Sequence, residues 1–96
     1  MAKLYISEFI SGPDKAMPPQ EPCVTDQTPV VIGAGSLQSA AFNSKTNLVR
    51  IHTDAICSIA FGEDPTATAD SKRMAAGQTE YFTVGGGQKV AVIENT

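Results

Sequence analysis

The chain has 96 residues, 42% of them hydrophobic and only 18% charged, with 8 Gly, 6 Pro, 2 Cys, one His and no Trp. That length suits one small folding unit and excludes a multidomain enzyme built on two nucleotide-binding halves. Seven basic against ten acidic residues give a net charge of −3, which argues against direct nucleic-acid binding because no positive field is left to hold a phosphate backbone.

The first predicted element is a strand over Lys3–Ile10, rich in β-branched and aromatic residues. Leu4, Ile6 and Ile10 fall on one face and Tyr5 and Phe9 on the other, so a small domain is expected to leave one apolar face for a partner. Lys3 and Glu8 interrupt this stretch where a signal peptide needs an apolar centre, and no run approaches the roughly 18 to 20 apolar residues of a membrane span. The expected location is the cytoplasm of a producing cell, with assembly from there into something larger.

Residues 11–23 contain Gly12-Pro13, Pro18-Pro19 and Pro22 and read as a Pro-rich loop or arm. Such an arm is preordered in extended form and loses little entropy when laid along a neighbour, with Met17 as its apolar contact. Val24–Ile32 is a second extended stretch, and Pro29 within it places it at an edge or bulge.

Gly33-Ala34-Gly35 after Val30-Val31-Ile32 looks like the glycine turn of a dinucleotide-binding unit, and Asp54 lies at a suitable distance for a ribose contact. Gln38 stands where the third glycine belongs, and too little chain follows to complete such a site. The two glycines are expected to link two strands. Ser36–Asn47 fits a helix or a strand equally well by periodicity.

Leu48–Thr53 alternates cleanly, with Val49 and Ile51 on one face and Arg50 and His52 on the other. Ala55–Phe61 is a fully apolar strand, in which Cys57 behaves as a small buried hydrophobe. Glu63–Gly77 reads as a long loop with one short turn around Ser71–Ala76, and Lys72, Arg73 and Met74 make a basic-apolar spot on it. Thr79–Val84 and Lys89–Ile93 are strands, and Gly85-Gly86-Gly87 between them supplies the residues for a tight hairpin. Short strands at this spacing predict an all-β fold, a small antiparallel β-sandwich of jelly-roll-like type with about 6–8 strands, occupying residues 1–96 as one domain. Its core is expected to combine Ala55, Cys57, Ile59 and Phe61 with Phe82, Val84, Val90 and Val92.

Catalytic and metal-binding chemistry finds few candidates in the composition. His52 lies near Arg50 and Asp54, with Cys57 or Ser58 as the nearest nucleophiles, but a polar strand face explains the trio with less assumption. Glu63, Asp64 and Asp70 lack the spacing of a calcium loop. Cys23 and Cys57 are not spaced as a zinc or thiol-redox pair. No catalytic residue, cofactor or metal is expected.

The run Asp54-Ala55-Ile56-Cys57-Ser58-Ile59-Ala60-Phe61-Gly62-Glu63-Asp64-Pro65-Thr66-Ala67, followed by Arg73-Met74-Ala75-Ala76-Gly77-Gln78-Thr79-Glu80-Tyr81-Phe82, resembles the small virion structural proteins of tailed bacteriophages. In that family an apolar strand ending in Phe-Gly leads through an Asp-Pro-Thr-Ala-like loop to a Glu-Tyr-Phe strand. The pattern covers Glu21 to Ile93 and is one of strands and turns, not a catalytic signature. The resemblance implies a non-enzymatic capsid decoration or cement protein on the virion surface. Its partners would be the major capsid protein or other virion subunits, and it would form a homo-oligomer, trimer or dimer. A neck, tail or fibre-associated position and a carbohydrate-binding module are the alternatives. The expected interface comprises Leu4, Tyr5, Ile6, Phe9, Ile10, Met17, Lys72, Arg73 and Met74.

Overall fold

A computed structural model describes residues 2–10 and 23–96, and the arm expected over 11–23 falls outside the described residues except for Cys23. Among the described residues there are nine strands and no helix. They are β1 (Lys3–Phe9), β2 (Thr25–Asp26), β3 (Val30–Val31), β4 (Leu37–Gln38), β5 (Leu48–Thr53), β6 (Cys57–Gly62), β7 (Lys72–Met74), β8 (Thr79–Thr83) and β9 (Lys89–Glu94). The first sheet has the order β2-β1-β5-β8, with β3 also paired to β1, and the second has the order β4-β9-β6-β7. Every pairing is antiparallel. The all-β sandwich read from the sequence is therefore present. The strand number exceeds the expected range because β2, β3, β4 and β7 are only two or three residues long, below the length at which alternation is legible.

Alternation decides which residues enter the core. In β5 the odd positions Val49 and Ile51 are fully buried, and β1 sets Leu4 and Ile6 against the same interior. From the second sheet come Cys57, Ile59, Met74, Val90 and Val92. Phe61, Phe82 and Val84 pack at its margin, partly buried, with the Phe61 and Phe82 ring centroids 5.0 Å apart. The undecided segment 36–47 is neither helix nor long strand. After β4 it runs beside β9, with Ser39 N–H donating to the Val90 carbonyl at 2.8 Å and Phe42 N–H to the Gln88 carbonyl at 2.8 Å. Phe42 enters the core from it.

Two corrections to the sequence reading concern the C-terminal half. Residues 63–77 contain β7, paired with β6, where a loop with one turn was expected. The hairpin expected across Gly85-Gly86-Gly87 does not form, because β8 belongs to the first sheet and β9 to the second. The three glycines instead carry the chain across the sandwich. Val84 N–H donates to the Asn47 carbonyl at 3.1 Å and Gly87 N–H to the Phe42 carbonyl at 3.0 Å, so both ends of the crossing are anchored on residues 42–47. Between them Gly86 lies so close to Ser44 that a Cβ would overlap its carbonyl group. Gly87 adopts a φ of 82°, which favours glycine.

Gly86→Ala should force that crossing away from a backbone it cannot displace easily. The expected cost is about 1–3 kcal/mol, read in thermal unfolding as a fall in Tm on the order of 10 °C. An unchanged Tm would show that the crossing is free to shift.

Candidate functional site

Strands β2 and β3 lie at the far edge of the first sheet and β4 lies at an edge of the second. Between them opens a groove of about 550 Å³, lined by residues 25–30 on one side, 37–41 on the other, and by Glu8. That volume falls within the range of small-molecule and peptide sites.

Glu8 is the unusual residue. It follows Leu4 and Ile6 on the inward-facing positions of β1 and is only 1% exposed. A buried carboxylate is tolerated only when donors replace its lost water. Among the described residues the donors are uncharged: Asn43 N–H at 2.7 Å and the Thr46 hydroxyl at 2.8 Å to Oε1, and the Gln27 amide at 2.8 Å to Oε2. The same Gln27 amide nitrogen donates to the Ala40 carbonyl at 3.2 Å. With both amide hydrogens committed, the orientation of Gln27 is fixed, and among the described residues its buried Oε1 has no hydrogen-bond partner. An orphaned acceptor of this kind costs free energy until a donor reaches it. Leu37, which is 48% exposed, supplies an apolar surface on the same groove.

The nine expected interface residues separate into three groups. Leu4, Ile6 and Met74 lie in the sandwich's own core and Phe9 is also buried, so these four do not form a surface for a partner. For Leu4 and Ile6 the cause is the second sheet, which covers the inward face of β1, and for Met74 it is the pairing of β7 with β6, which turns it inward beside Cys57. Tyr5 and Ile10 are exposed at 41% and 47%, and Lys72 and Arg73 are exposed on β7. Met17 lies outside the described residues. Lys72 sets its Nζ 5.9 Å from the centre of the Phe82 ring.

The residues weighed for catalysis are drawn into structural contacts. His52 Nδ1 lies 2.7 Å from the Thr79 hydroxyl, and Asp54 accepts from the Lys3 N–H at 3.3 Å. The Ser58 hydroxyl accepts from the Asn95 amide at 2.7 Å in the other sheet. Asp64 accepts from the Gln38 amide at 2.7 Å, which ties it to β4. Among the described residues no group of three or more His, Cys, Asp or Glu side chains is placed to hold a metal. Gly33 and Gly35 lead into β4 and not into a helix, so the helix N-terminus that a pyrophosphate needs does not follow them. No disulfide joins Cys23 to Cys57. Among the described residues no helix is long and apolar enough to cross a membrane.

The groove was missed in the sequence, although a signal for it exists. Glu8 continues the Leu4, Ile6 alternation into the core, and an acid in such a position needs donors from elsewhere in the chain. Comparison of the chain with protein-family models, with curated proteins and with solved structures finds no match.

Glu8→Ala should strand three donors and loosen both walls of the groove, lowering stability by about 3 kcal/mol or more in urea unfolding. Glu8→Gln should lose less than half as much, since its oxygen still accepts from Asn43 and Thr46. Equal losses for the two variants would mean that Glu8 acts by volume alone. A second expectation concerns Cys57, whose thiol burial pushes up, a hydrogen bond with Thr53 opposing the shift. Above the ordinary thiol pKa of about 8.5 the unfolded chain loses a proton that the folded chain retains, so the fold loses stability as pH rises. Cys57→Ala should flatten that loss between pH 7 and 10, and iodoacetamide should label Cys57 at least about tenfold faster in urea than in the native state.

Proposed function

We propose that this chain is a non-enzymatic structural subunit of a phage virion, a capsid decoration or cement protein whose groove takes an extended segment of a neighbouring shell subunit. The observation that carries this reading is exposed Leu37 in a groove walled by strand edges. A polypeptide offers both complements at once, backbone hydrogen-bonding groups for the strand edges and an apolar side chain for Leu37. The lining contains no aromatic ring, which favours a peptide over a sugar, because sugars rely on stacking platforms. The placement on a virion rests on the resemblance of Asp54–Ala67 and Arg73–Phe82 to small phage structural proteins. Exposed Lys72 and Arg73 supply a local positive spot on a chain of net charge −3, suited to an acidic rim on the same neighbour.

Cementing follows from linkage. A subunit that binds the assembled shell better than its free components stabilises assembly by mass action, and shell symmetry repeats a modest contact many times. No bond is made or broken.

The test is co-sedimentation of the full chain with shells assembled from the major capsid protein of the same genome. The wild-type chain should bind and raise the melting temperature of the shells. Leu37→Asp should weaken binding by about tenfold or more while shifting the Tm of the isolated protein by no more than about 4 °C, as befits an exposed position. Failure of the wild-type chain to bind shells would overturn the capsid reading, and density for it in the neck or tail of an imaged particle would move it there.

A further inference from the structure

The free edge of the first sheet carries a second surface. β8 is the last strand of that sheet among the described residues, paired on one side with β5 through Val49 opposite Phe82, Arg50 opposite Tyr81 and Ile51 opposite Glu80. The flanking bonds fix which backbone groups are used. Thr53 N–H donates to the Gln78 carbonyl and Val84 N–H to the Asn47 carbonyl, so the even positions 78, 80, 82 and 84 face β5. In an antiparallel ladder the alternate residues face the other way. The N–H and C=O groups of Thr79, Tyr81 and Thr83 therefore point off the open edge.

From this geometry we infer that β8 is a self-complementary edge that pairs antiparallel with β8 of a second copy about a two-fold axis at Tyr81. In that register Tyr81 meets Tyr81, and Thr79 meets Thr83 of the second copy. All are hydrogen-bonded pairs, so every outward donor and acceptor of β8 finds its opposite. No other register pairs all three outward residues of both strands with one another.

Side chains select the same partner. Glu80 and Phe82 lie on the inward face, opposite buried Ile51 and Val49. A charged side chain on that face of an edge strand normally blocks pairing with another strand. About the Tyr81 axis, Glu80 stands opposite Phe82 of the second copy, and the ring of Phe82 carries Lys72 over it at 5.9 Å. Each Glu80 thus meets the Lys72 of the other copy, and the contact occurs twice. On the outer face the two Tyr81 rings, each 51% exposed in the single chain, stack beside one another. The charge that repels a generic strand becomes an attraction toward this one, which makes the edge specific. The inference uses a different edge from the groove and needs no shell, and it shares only Lys72 with the virion reading.

Sedimentation velocity of the full chain at about 100 µM, where any dimer with a micromolar Kd is populated, should give twice the monomer mass. Tyr81→Pro removes an N–H that β5 does not use, so it should abolish the dimer while far-UV circular dichroism stays native. Should Tyr81→Pro fail to fold, the charge pair provides the test. Lys72→Glu and Glu80→Lys should each weaken self-association by about tenfold, because each places like charges together at two symmetric sites, and the double variant should recover it. A wild-type chain that remains monomeric at this concentration overturns the inference, as does a dimer that survives Tyr81→Pro or a double variant no better than the singles. Loss of shell binding with the dimer intact would count against the proposed function alone.

Discussion

The buried carboxylate of Glu8 organises more of this small protein than any apolar contact does. Among the described residues its donors come from Gln27, Asn43 and Thr46, which are remote from β1 in sequence, and the carboxylate ties the Gln27 segment to the local turn that already joins Thr46 N–H to the Asn43 carbonyl. Removing any donor leaves charge in a low-dielectric interior, so the three are held as a set. On one side this fixes the Gln27 amide, and with it one wall of the groove. On the other it pins residues 43–46, the platform against which Gly86 packs. The groove at one edge and the sheet crossing at the other both trace back to the same group.

That crossing explains why the first sheet ends in an open strand. A hairpin at Gly85-Gly86-Gly87 would have laid β9 beside β8 and consumed its outward donors. Because Gly87 is anchored on Phe42 and Val84 on Asn47, the chain leaves the first sheet instead, and β9 becomes an interior strand of the second, between β4 and β6. The centre of the second sheet is gained, and the edge of the first stays exposed. Thr53 acts similarly at the β5–β6 connection, where its hydroxyl donates to the Ala55 carbonyl at 2.6 Å and accepts from the Ala55 N–H at 3.2 Å. A side chain that closes its own turn lets two consecutive strands lie in different sheets.

What the sequence made legible was whatever depends on local alternation. β1, β5, β6, β8 and β9 were readable within one or two residues, and Cys57, Ile59, Val90 and Val92 were readable as core. What stayed hidden depends on pairing between distant segments. Gly85-Gly86-Gly87 contains ample conformational freedom for a hairpin, and nothing local says that Ser44 will occupy the space beside Gly86. Lys72-Arg73-Met74 reads as a solvated loop because three residues carry no period, yet pairing with β6 puts Met74 in the core and leaves its two neighbours outside. Leu4 and Ile6 looked like surplus apolar area only while the second sheet was not in view. The groove depends on the same long-range closure, since its walls are separated from Glu8 by the turns that bring them back.

The two surfaces lie at opposite ends of one sheet, and that arrangement bears on what the protein does. In the order β2-β1-β5-β8 the groove borders β2 and the self-complementary edge is β8. Joining two copies through β8 would make a ten-stranded sheet, eight strands across, without touching either groove. With neighbouring strands about 4.8 Å apart, the two outer β2 strands would stand roughly 34 Å from each other, somewhat closer after twist. Each groove would then address a different subunit of a shell. A weak peptide contact of the size a 550 Å³ groove permits holds poorly when made once. Made twice from a rigid two-fold body, the second contact forms at high effective concentration and dissociation requires both to open together. On the proposed reading, the dimer would account for how so small a domain could hold a lattice, provided the spacing of neighbouring sites on that lattice matches the span of the extended sheet.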